Sequence, residues 1–222
     1  MKYLNLIALL LTTTILAGQG NNITAEMLNE WTFYGEGSKK TQTGMFFMRE
    51  ANKSGGVAIV SPNPYGENVV VKYEVMTLTP ATVCIAILSA SNIGEDEKLS
   101  IPDDYDGSMK YWVDNAENYF VAFRNGPHNR TPFIRKYPAE NGADPALAVH
   151  NKNLMHSGIF HKVEIGKEGE KIWLKIDGKT ILKTTDRESY GGGHIAFRIR
   201  GTAGEYASCL MRNLEIEETE LK

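Results

Sequence analysis

Residues 68–77 alternate strictly: Val69, Val71, Tyr73 and Val75 fall on one side of an extended chain, Lys72, Glu74 and Met76 on the other. Period two built from β-branched and aromatic residues marks a strand with one buried face. The pattern constrains the fold because it recurs almost from end to end. Strand runs are predicted at 31–34, 45–49, 57–60, 82–88, 119–124, 133–137, 146–150, 160–165, 171–176, 180–184, 194–200 and 208–216. Glycine, proline, asparagine and aspartate punctuate them at hairpin spacing. Asp177-Gly178, between two alternating runs, is the strongest two-residue hairpin signal. Residues 82–88 are continuously apolar, as in a strand covered on both faces. The only helical pattern is a turn near residues 24–30. The expected fold is therefore all-β, a sandwich or jelly roll of two antiparallel sheets.

The chain has 222 residues, 24 basic and 27 acidic. That balance excludes the basic footprint of a nucleic-acid binder. Lys2, the apolar stretch 4–16 and the small residues Ala17, Gly18 and Gly20 read as a signal peptide over residues 1–20. The stretch is too short to span a bilayer, which takes about 20 residues, and no other segment is a candidate span. An exported protein, periplasmic or extracellular, is expected, with residues 21–222 forming one domain. Cys84 and Cys209 both lie in apolar strand patterns and read as buried thiols, with a single disulfide as the alternative.

Residues 111–137 concentrate chemistry. An aromatic strand, a polar break at Asn125-Gly126-Pro127 and a second strand gather Arg124, His128, Arg130, Arg135 and Lys136 among aromatic rings. Such a hairpin suits the wall of a site for an anionic or sugar-like ligand. A uronate lyase needs a cation beside the sugar carboxylate and a base for the α-proton. Arg124 and Lys136 are candidates for the first role, Tyr119 and His128 for the second. Tyr111, Trp112, Glu117, Arg135, Asp186 and Arg198 are candidate substrate contacts. The alternative reading of the hairpin is a sheet edge whose charges block aggregation. A glycosidase needs two carboxylates across the bond, and the spacing Glu-x-Asp-x-x-Glu is absent. No cofactor or catalytic metal is expected, since the five histidines show no ligand spacing. Asp104-Tyr105-Asp106-Gly107 offers oxygen atoms of the kind calcium takes, without the spacing of an EF-hand. It sits in the acidic segment 89–107, expected to rim a binding face.

Several runs in order resemble one family: GGVAIVSPNPYGENVVVKYEV, ATVCIAILSAS, YFVAFRN, TPFIRK, GADP, the DGK hairpin and HIAFRIRG. Over residues 30–216 the chain is similar to YesU-like proteins, an uncharacterised family seen beside genes for bacterial pectin breakdown. The resemblance implies a concanavalin-A-like jelly roll of two curved antiparallel sheets, with its ligand on the concave face. It implies a carbohydrate partner and a polysaccharide lyase or glycoside hydrolase of acidic, pectin-like oligosaccharides. A non-catalytic carbohydrate-binding module of a polysaccharide-utilisation system is the alternative.

Overall fold

Two antiparallel sheets face each other in the computed structural model, which describes residues 20–124, 132–139, 143–150, 152–202 and 204–219. The signal-peptide reading of residues 1–20 falls almost wholly outside the described residues. The larger sheet runs β13 (Lys179–Thr185), β12 (Lys171–Ile176), β11 (His161–Glu168), β6 (Val69–Thr77), β15 (Ser208–Glu218), β4 (Met45–Glu50) and β3 (Gly37–Gln42). A short β1 (Asn21–Ile23) pairs with the far half of β15. The second sheet runs β10 (Ala146–Val149), β9 (Phe133–Tyr137), β8 (Ala116–Arg124), β7 (Val83–Asn92), β14 (His194–Arg200), β5 (Val57–Val60) and β2 (Thr32–Tyr34). Among the described residues there are two short helices, α1 (Ala25–Asn29) and α2 (Met109–Asp114). No helix among the described residues is long and apolar enough to cross a membrane.

The alternating residues do what their period dictates. Val69, Val71, Tyr73 and Val75 point into the space between the sheets. There they meet Val121 and Phe123 of β8 and Phe197 of β14. Tyr73 packs edge-on against Phe197 at 4.9 Å between ring centres, the offset geometry that aromatic quadrupoles favour. Asp177 and Gly178 both take positive φ, 51° and 77°, as the tight hairpin turn requires. Cys84 and Cys209 are buried in this core as free thiols, and burial pushes the Cys84 thiol up to about 12.

The second sheet is also covered on part of its outer face. Tyr105 and Trp112 pack there on Ile87, Phe120 and Ala196, which is why β7 and β8 read as apolar on both sides. The cover is the acidic segment together with α2. Residues 109–114, to which the sequence reading assigned no element of their own, form this helix. Trp112 is fully buried, its indole N–H donating to the Tyr105 hydroxyl at 2.8 Å. The cover stops short of the open ends of β8, β7 and β14, and that gap positions the site.

Candidate functional site

A groove of about 590 Å³ lies where the cover ends. Its floor is the outer face of the second sheet: Ile85, Phe120, Ala122 and Phe133. The register places these residues in adjoining rows. Phe120 stands opposite Arg135 of β9, Ala122 opposite Phe133 and Ile85, and Ile85 opposite Arg198 of β14. Arg135 and Arg198 are thus on strands three intervals apart, about 14 Å between backbones. The walls come from Met109 of α2, the turn 51–54 after β4, and the loop 201–206 between β14 and β15.

Four cations line this groove: Lys53, Arg135, Arg198 and Arg200. None has an ion pair among the described residues. Arg135 lies over the Phe133 ring at 4.2 Å and donates one bond to the Tyr137 hydroxyl at 3.2 Å. Arg200 is exposed. Arg198 is buried and fastens the cover: Nε donates to the Gly107 carbonyl at 2.9 Å and Nη2 to the Gly55 carbonyl at 2.7 Å. It supplies charge to the groove more than contact. Four cations against two lining carboxylates, Glu50 and Glu205, make the groove a positive concavity on a chain of net charge −3, although Arg198 and Arg200 act electrostatically on Glu50.

Two further wall residues matter. Tyr206 is 37% exposed, and the Arg49 guanidinium lies over its ring at 5.2 Å. Its backbone carbonyl accepts from the Thr79 hydroxyl at 2.6 Å, which fixes the main chain that carries the ring. It is an aromatic platform of the kind that stacks on a sugar. Glu50, at the end of β4, is buried. Its Oε1 accepts backbone N–H groups from Gly201 at 2.6 Å and Ala207 at 2.8 Å, bracketing the wall loop, while Oε2 is buried with no partner. Burial raises the Glu50 pKa, against the pull of those two N–H groups and of Arg198 and Arg200.

The sequence-predicted residues divide among several places. Arg135 and Arg198 are in the groove. Trp112 and Tyr111 belong to the cover, the Tyr111 hydroxyl bound to the Ser100 carbonyl at 3.0 Å, so neither is a stacking surface. Arg124 is buried at the end of β8 and corrects the expectation of a ligand contact. Its guanidinium donates to the carbonyls of Thr82 and Pro80 and to the Ser157 hydroxyl. His128 and Arg130 lie outside the described residues.

Four others gather elsewhere, at one end of the sandwich. Lys136, Asp186 and Glu117 line a separate cleft of about 520 Å³. Lys136 pairs with Asp186 Oδ2 at 3.0 Å, and the Tyr119 hydroxyl donates to the same oxygen at 2.6 Å. Tyr119 also accepts the Tyr190 N–H at 3.0 Å. Burial and the bond to Asp186 raise the Tyr119 pKa far above neutral. The phenol is thus committed to Asp186, with its ring in the core between the sheets and away from the groove. Lys136 is spent on Asp186 and on the Glu188 carbonyl at 2.5 Å. This cluster satisfies itself and reads as a strut between the sheets. As for calcium, Asp106 turns its Oδ1 to the Ser108 N–H at 2.8 Å. Among the described residues no three His, Cys, Asp or Glu side chains gather as metal ligands.

The sequence reading missed Lys53, Glu50, Arg200 and Tyr206. One signal was available: Arg200 is two residues beyond Arg198, so both share the outer face of β14.

No protein-family model matches the chain, and no curated sequence matches it. Solved structures do. A Bacillus subtilis protein of unknown function with a galectin-like fold superposes with a TM-score of 0.75 at 15% identity, covering 90% of this chain and 94% of that one. A prokaryotic glucanase (lichenase) from a mouse hindgut metagenome gives 0.60 at 11% identity, over 90% and 98%. A carbohydrate-binding module from Bacillus subtilis gives 0.57 at 12% identity, over 85% and 98%. The fold is thus a galectin-like, concanavalin-A-like jelly roll of two antiparallel sheets: the strand pattern predicted a two-sheet sandwich or jelly roll, and the resemblance implied its concanavalin-A-like form. Likeness at such identities speaks to fold and leaves function to the site.

Proposed function

We propose that the protein binds an acidic oligosaccharide in the groove over β8, β7 and β14. The observation that carries this reading is the excess of cations, Lys53, Arg135, Arg198 and Arg200 against Glu50 and Glu205, around an apolar floor beside the part-exposed Tyr206. An apolar, aromatic floor suits the C–H face of a sugar ring, and the cations suit a carboxylate or sulfate on its rim. The reading is supported by the occurrence of the same fold in a carbohydrate-binding module and a glucanase. It also agrees with the YesU-like resemblance and with an exported protein that meets polysaccharide outside the cell.

Binding without cleavage is the favoured form. Tyr119 is committed to Asp186, Arg124 is buried in the scaffold, and the carboxylates expected at the centre of the chemistry, Asp186 and Glu117, line the other cleft. A panel of uronate oligosaccharides, neutral oligosaccharides and sulfated glycans tests the reading by titration calorimetry. Micromolar to millimolar binding of the acidic members is expected, with no new reducing ends and no absorbance from unsaturated product after overnight incubation. Tyr206→Ala is expected to weaken binding roughly tenfold, a loss of about 1.4 kcal/mol, while the melting temperature stays near wild type because the ring is over a third exposed. Unchanged affinity in that variant removes Tyr206 from the site.

A further inference from the structure

Glu50 is out of place in a groove that gathers positive charge. It is 6% exposed, lines the groove wall and leaves Oε2 buried without a partner. A buried carboxylate oxygen with no donor is costly, so such a group asks for a role. The groups around it are few. β14 brings Arg198 and Arg200, the loop after it Glu205, the turn after its own strand Lys53, and β3 sets only Gly37 alongside. The charged form is held by the N–H groups of Gly201 and Ala207 and by the two arginines.

We propose that Glu50 makes the groove's grip on an anion pH-dependent: an acidic glycan binds together with a proton, which Glu50 takes from solvent. This rests on the groove being the glycan site. An anion brought to Arg200 takes over part of the positive field that holds the carboxylate. It also adds a negative neighbour. Both effects favour the protonated acid, in the same direction as the burial that already lifts this group. No other species is needed, since the proton comes from water and the carboxylate becomes a carboxylic acid.

The sign follows by linkage. Glu50 has a lower pKa in the free protein than in the complex. Above the bound value both forms are charged, and affinity sits on its lower plateau. Between the two values affinity rises as pH falls, by at most about tenfold per pH unit for one proton. Below the free value it levels off. A neutral glycan feels none of this.

The probe is trigalacturonate, with titration calorimetry from pH 7.5 to pH 4.5 in pairs of buffers of different ionisation enthalpy. The wild type is expected to take up a measurable fraction of a proton on binding within that range, with affinity rising as pH falls. Glu50→Gln keeps an oxygen for the Gly201 and Ala207 N–H groups and removes the charge. It is expected to bind more tightly than wild type at pH 7.5, with no proton uptake and a flat pH profile. If wild type binds with no proton exchange, or if the Gln variant keeps the wild-type pH slope, the inference is overturned. The wild-type measurement needs no variant and decides the question even if Glu50→Gln fails to fold. Arg135→Ala under the same conditions separates the two layers. If it weakens trigalacturonate while proton uptake is absent, the groove stands and only the role of Glu50 falls. If it leaves affinity unchanged, the groove reading falls with it.

Discussion

Arg124→Ala is expected to lower the melting temperature by roughly 5–15 °C and leave glycan affinity per folded molecule unchanged. The guanidinium is buried and holds the carbonyls of Pro80, at 3.0 Å, and Thr82 in the turn before β7. It also holds the Ser157 hydroxyl at 2.9 Å, tying that turn to the loop before β11. Alanine removes the donors and strands the acceptors. A buried group left unsatisfied costs about 1–3 kcal/mol, more where a charge was the partner. A total of about 2–4 kcal/mol is expected, and each kcal/mol moves a domain of this size by about 2–4 °C. Arg124→Lys should recover part of the loss, because an ammonium is a point charge and cannot fork across two carbonyls. Thermal melts with a parallel binding titration check both halves. A stable variant with lost affinity would return Arg124 to the ligand site.

The double variant Arg135→Ala/Arg200→Ala is expected to show the reverse. Each cation can give an anionic sugar a charge-assisted hydrogen bond worth about 1.5–3 kcal/mol. Their joint loss should weaken acidic-glycan binding by at least about a hundredfold. Stability should change little. Arg200 is exposed without an ion pair among the described residues, and Arg135 contributes one bond to Tyr137 and a ring contact with Phe133. The salt dependence of binding should flatten in the same variant, because exposed charges are screened and removed charges are not. Calorimetry at two ionic strengths, with a melt as the control, measures both effects. A hundredfold loss accompanied by unfolding would assign the pair to the scaffold.

The strands were legible because their period is local. Val69 to Val75 reveal a buried face without any knowledge of neighbours, and Asp177-Gly178 names its own turn. Strand β3, with the sequence GSKKTQ, carries almost no apolar signal, since it is an edge strand paired only with β4. Its existence depends on a partner that the local sequence does not name. The same limit governs the site. Parity put Arg124 on the outer face of β8 but could not tell that the turn before β7 closes over it. Trp112 looked like a platform because its cover, the acidic segment with Tyr105, is joined to it only in three dimensions. The groove itself is assembled from β4, the turn after it, β7, β8, β9, β14, α2 and the residues 201, 202 and 204–206. Arg135 and Arg198 were within reach of a pattern argument. Glu50 and Tyr206 were not, because each is an isolated residue whose meaning comes from the wall loop that brings it to the groove.

The central claim is that this groove reads negative charge on a glycan, and one comparison tests it most directly. Trigalacturonate and its fully methyl-esterified form share ring, linkage and length and differ only at the carboxyl groups, which are charged in one and neutral methyl esters in the other. Titrated into the wild-type protein at pH 7 and low salt, the acid is expected to bind at least about tenfold more tightly than the ester, the effect of one charge-assisted bond. Equal affinity for the two would contradict the account, whatever the affinity itself.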